Sequence, residues 1–186
     1  IKGPDAAEFL NRVYTNAWMK LPVGKARYGL MLREDGIVMD DGTTTRISEN
    51  HYHMTTTTAQ AANVLSHLEY YLQLVWPELN VNVVSSTEQW AGAAIAGPKS
   101  RDVLKKLFPD LDVSNDGLPF MGYMEGNLFG VNAKIFRISF SGELAYEVNV
   151  ESDNGNFMWE KIMEIGKEFN IQPYGTVALS TLRIEM

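Results

Sequence analysis

Apolar residues recur along the chain at two different spacings. Phe9, Leu10 and Val13 share one face at helical spacing, and Val103, Leu104 and Leu107 do the same. Each set follows a Gly-Pro pair, Gly3-Pro4 in one case and Gly97-Pro98 in the other. Proline suits the first helical position, where its missing N–H would have no intrahelical partner. Each stretch therefore reads as a strand end, a turn, and a helix opened by its proline. Residues 27–32 and 37–47 are apolar-rich runs around Glu34-Asp35-Gly36, which predicts a hairpin. Residues 131–140 and 144–150 flank Ser141-Gly142-Glu143 and predict a second. Val64, Leu65, Leu68, Leu72 and Val75 predict a helix over 59–75, stopped by Pro77. The threonine run 55–58 reads as a strand leading into that helix, with Thr58 as its cap. Phe157, Ile162, Ile165 and Phe169 predict a helix over 157–169 that starts near Asp153 or Asn154.

The order strand, helix, hairpin, strand, helix thus occurs twice. It favours an α+β fold of two similar lobes, about 1–85 and 86–186, with antiparallel sheets and packed helices, over a doubly wound parallel sheet. No low-complexity linker joins the halves, and residues 112–119 are the best loop candidate. Ile1 reads as mid-strand, and residues 177–186 read as a helix without a stop signal. The expectation is a fragment truncated at both ends.

Composition narrows the function. Apolar residues make up 45% of the 186 and charged residues 21%, a globular balance. The longest apolar runs fall far short of the ~20 residues a bilayer requires, and no charged-then-apolar leader is visible. A cytoplasmic location without membrane contact is the expectation. Cysteine is absent, so thiolate catalysis, disulfides and cysteine-ligated metals are excluded. With 16 basic and 23 acidic residues the net charge is −7, and no Lys/Arg block offers a nucleic acid a basic face. Lys20, Lys25, Arg27 and Arg33 form at most a local cationic set.

Two places could carry chemistry. Asp40-Asp41 ends an apolar run, and alternation sends one acid toward the core side or a cavity and the other toward water. The pair is either a general base or cation-orienting acid, or a strand ending in a solvated turn. In the second place, Glu147 stands between Tyr146 and Val148. It is either an acceptor for the N–H groups of a heteroaromatic ligand or an edge-strand charge that discourages aggregation. His51 and His53 share a strand face, but no third ligand lies at motif spacing, so no metal site is assigned. Ser141-Gly142-Glu143 lacks the flanking glycine of a nucleophile elbow, and residues 122–126 lack a dinucleotide fingerprint.

In order along the chain stand Lys2-Gly3-Pro4-Asp5-Ala6, Thr15-Asn16, Gly24-Lys25-Ala26-Arg27-Tyr28, Glu34-Asp35-Gly36 and Asp40-Asp41. Ala96-Gly97-Pro98-Lys99, Leu118-Pro119-Phe120, Ser141-Gly142-Glu143, Tyr146-Glu147 and Leu182-Arg183-Ile184-Glu185 follow. In this order they resemble the glycine-cleavage T-protein, or aminomethyltransferase, superfamily over nearly the whole chain. The resemblance implies a tetrahydrofolate held between lobes and formation of 5,10-methylenetetrahydrofolate from a one-carbon iminium donor. It implies that Asp41 is the catalytic acid, which orients the donor or folate amine and takes part in proton transfer. Glu147 would hold the pterin, and Tyr28, Phe120 and Phe140 would line the folate pocket.

Departures from the T-protein pattern point to a branch. Phe140 stands where that pattern has an aromatic hydroxyl, and Leu179-Ser180 where it has an Arg-Asp pair. Residues 141–147 and 179–185 look more like sarcosine oxidase and dimethylglycine dehydrogenase. There a flavin oxidises an N-methyl amine elsewhere in the protein, and the imine gives its carbon to tetrahydrofolate. The resemblance implies flavin and NAD only in other parts of a full enzyme, and flavin-bearing subunits of a hetero-oligomeric oxidase as partners. The other reading is a non-catalytic, T-protein-like module for folate binding or subunit interaction.

Overall fold

A computed structural model describes residues 1–185. The chain forms two compact units, Ile1–Ser85 and the residues from Ser86 onward.

The first unit opens with α1 (Ala6–Val13), whose buried face is Ala6, Phe9, Leu10 and Val13, the expected stripe with Ala6 added. The proline does not open this helix. The Gly3 carbonyl accepts the Ala6 N–H at 3.1 Å, and Asp5 has φ −98° and ψ 10°. Gly3 to Ala6 is therefore a β-turn of type I character with Pro4 at its second position, where the ring's fixed φ is wanted. Strands β1 (Ala26–Leu32), β2 (Val38–Ser48) and β3 (His51–Met54) form an antiparallel sheet in that order. Lys2 bridges both His51 of β3 and Asn82, so two short segments extend the sheet past β3.

Helix α2 (Ala61–Tyr70) buries Val64 and Leu68. It begins later than expected, and Thr58 is not its cap, because residues 58–60 form a separate tight turn first. Regular helix ends at Tyr70, and residues 71–75 widen into a π turn closed by the Trp76 N–H on the Tyr71 carbonyl at 2.7 Å. The threonine run is not a strand, since β3 stops at Met54. Phe9, Leu10, Trp18, Met31, Tyr52, Val64 and Leu68 lead the core. Full burial of a side chain such as Phe9 contributes roughly 1.5–3 kcal/mol.

The second unit has strands β4 (Trp90–Ala96), β5 (Tyr123–Leu128), β6 (Val131–Phe136) and β7 (Ala145–Glu151) in the antiparallel order β4-β7-β6-β5. Helix α3 (Ser100–Leu107) lies between β4 and β5 in sequence and buries Val103, Leu104 and Leu107. It is entered by the same turn as α1: Ser100 N–H to the Gly97 carbonyl at 3.0 Å, with Lys99 at φ −96° and ψ 2°. Pro98 again precedes the helix. Helix α4 (Gly155–Gly166) starts after Asn154, as expected, and buries Met158 and Ile162. Helix α5 (Thr176–Glu185) buries no side chain.

The second predicted hairpin needs correction. β6 stops at Phe136, the β6–β7 connection is long, and the tight hairpin is β5–β6, whose first strand sequence patterning missed. Among the described residues no helix is long and apolar enough to cross a membrane.

Candidate functional site

Alternation along β2 separates the two acids. Asp40 pairs in register with the core residue Met31 and is 4% exposed. The Thr57 N–H lies 3.3 Å from both of its carboxylate oxygens. Asp41 faces the other way, half-buried. Tyr28 of β1 pairs with Thr43, which puts it diagonally across from Asp41 on one sheet face. The Tyr28 hydroxyl donates to Asp41 Oδ2 at 2.7 Å, a short bond to a charged acceptor.

Residues 55–57 lie against this strand. Thr55 N–H donates to the Thr43 carbonyl at 2.8 Å, and Thr43 N–H donates to Thr55 Oγ1 at 3.1 Å. A Cβ on Gly42 would sit 2.1 Å from the Thr55 carbonyl oxygen, so only glycine lets the segment come this close beside Asp41. Tyr14 bridges Met31 of β1, the strand paired with β2. Its hydroxyl is pushed up by burial first and by the charges of Asp40 and Asp41 next, which keeps it a neutral donor, here to Met54 Sδ at 3.1 Å.

Glu147 lies on β7, opposite Ala94 of β4 on one side and Phe136 of β6 on the other. β7 is an inner strand, so the edge-charge reading of Glu147 is overturned. Its neighbours Tyr146 and Val148 point into the core, and Glu147 points out of the opposite sheet face. Among the described residues no hydrogen bond or ion pair reaches its carboxylate. Burial pushes that carboxyl up from its ordinary value. Phe120 and Phe140 are not core residues: they are 66% and 55% exposed. Arg183 of α5 places its guanidinium 4.7 Å from the Phe140 ring centroid. In the sequence Arg183 stands only within the Leu182-Arg183-Ile184-Glu185 motif, with no role of its own.

Thus the structure joins Tyr28 to Asp41 in the first unit. It places Glu147, Phe120 and Phe140 in the second, and among the described residues no hydrogen bond joins them. His51 and His53 lie on β3. Among the described residues no group of three His, Asp or Glu side chains could hold a metal ion.

The family model described as the GCVT N-terminal domain matches residues 1–186. The chain is 57% identical to a sarcosine oxidase subunit alpha of Rhizobium meliloti, covering 100% of this chain and 19% of that protein. It is 32% identical to an aminomethyltransferase of Chloroherpeton thalassium, covering 49% of it. It therefore spans about half or less of the curated relatives it matches. A crystal structure of the glycine cleavage system aminomethyltransferase T from Bartonella henselae superposes with a TM-score of 0.82 over 99% of this chain and 46% of that one. At 24% identity this last likeness speaks for the fold. With the model matched over its full length, the chain belongs to the GCVT N-terminal domain family.

Proposed function

We propose that this chain handles tetrahydrofolate within a sarcosine oxidase alpha-like enzyme. The one-carbon unit comes from an imine made by flavin-dependent oxidation of sarcosine or a related N-methyl amine in another part of that enzyme. The product is 5,10-methylenetetrahydrofolate. Tetrahydrofolate supplies the two amine nitrogens that take the carbon, while the donor leaves as its amine.

The residues present fit such a ligand. Glu147 offers a half-buried carboxylate with no donor among the described residues, suited to the N–H groups of a heterocycle. Phe120 and Phe140 in the second unit, and Tyr28 in the first, each expose ring surface of the kind a flat ligand packs on. Asp41 is the acid we assign to proton transfer. Tyr28 fixes one carboxylate oxygen and leaves the other to accept the proton an amine loses as its nitrogen bonds to carbon. Asp40 cannot take this role, because its carboxylate is buried and faces the core side.

The observation that carries the reading is the half-exposed Asp41 carboxylate aligned by the Tyr28 hydroxyl. In the full-length protein that contains this chain, Asp41→Asn is expected to lower methylenetetrahydrofolate yield about 100-fold or more and to leave amine oxidation largely intact. An unchanged yield defeats the assignment.

A further inference from the structure

Arg101, in the first turn of α3, and Arg137, just past β6, converge on one neutral atom. Arg101 Nη2 donates to Asn115 Oδ1 at 2.7 Å, and Arg137 Nη1 donates to the same oxygen at 2.8 Å. The forks are held from behind. Arg101 Nε donates to the buried Tyr146 hydroxyl at 2.9 Å, and Arg137 Nη1 also donates to the Leu118 carbonyl at 3.0 Å. Both side chains are half-buried. Among the described residues neither has a carboxylate at ion-pair distance. Acids on the same segments do not serve them: Asp112 accepts the Ser114 N–H at 2.9 Å, and Asp102 and Asp116 form no ion pair.

Two guanidiniums on one amide oxygen repel each other, and a neutral acceptor cannot offset their charge. Buried charges are ordinarily paired, and a guanidinium fork is shaped for two oxygens of an anion. Among the described residues each fork keeps a terminal nitrogen, Nη1 of Arg101 and Nη2 of Arg137, without a protein acceptor. Neither is among the buried unpartnered atoms, so both reach solvent; on the inner side Arg137 Nε is buried and unpartnered.

We propose that Arg101 and Arg137 form a binding site for a small oxyanion, a carboxylate or a phosphate, in which Asn115 stands where the anion's counter-charge belongs. Its occupancy reaches the segment that bears Phe120. The Met121 N–H donates to the Arg137 carbonyl, and the Arg137 N–H to the Gly122 carbonyl, both at 2.9 Å. An anion that fixes Arg137 therefore tightens residues 115–122. The site stands independently of the folate reading.

The test follows thermal unfolding of the full-length protein in sodium phosphate and in sodium succinate, against chloride at matched ionic strength. The midpoint is expected to rise with either oxyanion beyond the chloride control, and the stronger responder names the preferred class. Arg101→Gln is expected to weaken the apparent affinity about tenfold or more. Asn115→Asp supplies an internal carboxylate to both forks. It is expected to raise the midpoint without added anion and to remove most of the response. No response beyond chloride in the parent protein overturns the site, as does a full response in Asn115→Asp. If Arg101→Gln does not fold, Asn115→Asp decides alone.

Discussion

Gly3 and Gly97 occupy the same place in their units: each ends a strand or bridge, sits at positive φ, and passes its carbonyl to the first residue of a helix. Their surroundings differ. A Cβ on Gly3, at φ +148°, would lie 2.1 Å from the Asn80 carbonyl oxygen, whereas a Cβ on Gly97, at φ +115°, would meet nothing within 4 Å. The first unit needs glycine for both backbone conformation and space, because the segment around Asn82 pairs with Lys2 and lies across the turn. The second unit needs it for conformation alone. The sharpest break in the comparison is therefore a pair of substitutions. Gly3→Ala is expected to cost about 4 kcal/mol, strain plus overlap. Gly97→Ala is expected to cost about 1–2 kcal/mol, strain alone. Urea unfolding of both variants checks this, and equal losses remove the distinction.

The acids differ between the units in the same way. Asp41 has an internal donor in Tyr28, while Glu147 is half-buried on an inner strand with none among the described residues. One carboxylate is oriented in advance, and the other is left for a ligand to satisfy. Burial raises the Glu147 carboxyl above its ordinary value of 4.5, so the folded state holds this proton more tightly than the unfolded chain. Stability is then lost as pH rises from about 4.5 through the raised folded value, and the loss persists above it. Glu147→Gln removes the charge. It is expected to flatten that part of the pH–stability profile and to stabilise the protein at neutral pH. The same variant is expected to weaken tetrahydrofolate binding about tenfold, the worth of a hydrogen bond to a charged acceptor. Calorimetry with tetrahydrofolate and denaturation across pH read the two effects separately.

Elements whose cause is local were legible in the sequence. The stripes of α1 and α3 came from helical spacing, and the β1–β2 hairpin from Asp35-Gly36, with Gly36 at φ +81°. The separation of Asp40 from Asp41 followed from strand alternation, although which acid is buried depends on the pairing of Asp40 with Met31. Non-local causes were hidden. Glu147 lies on an inner strand only because β4, far earlier in the chain, pairs with β7. Helical winding ends at Val75, as the apolar spacing implies, but that spacing does not distinguish the π turn of residues 71–75 from regular α-helix. The π turn there lets Trp76 lie 4.7 Å from the Tyr71 ring and 6.2 Å from the Phe9 ring. The Arg101–Asn115–Arg137 cluster joins three segments with no common motif.

The smallest effect concerns the strand that patterning missed. β5 and β6 join through Phe129-Gly130, with φ +49° and +99°. Positive φ at both central residues is the condition of a type I′ turn, the connection whose twist matches paired strands, and Asn-Gly is its usual signature. A phenylalanine there conceals the turn from a sequence reader. It also holds a bulky residue in a left-handed conformation that asparagine tolerates far better. The Phe129 ring offsets little of this strain: it is 54% exposed, with the Lys161 ammonium 5.5 Å from its centroid. Phe129→Asn is therefore expected to stabilise the protein by about 1 kcal/mol, read as a rise in the denaturation midpoint at unchanged slope. The β1–β2 turn of the first unit is of another kind, with Gly36 at positive φ and Asp35 not, so Asp35→Asn relieves no such strain and should shift the midpoint much less, or lower it through loss of the Arg33 ion pair at 2.7 Å. A loss of stability in Phe129→Asn would show that the exposed ring contributes more than its backbone strain costs, and that the second unit's hairpin is held by its side chain rather than by its turn.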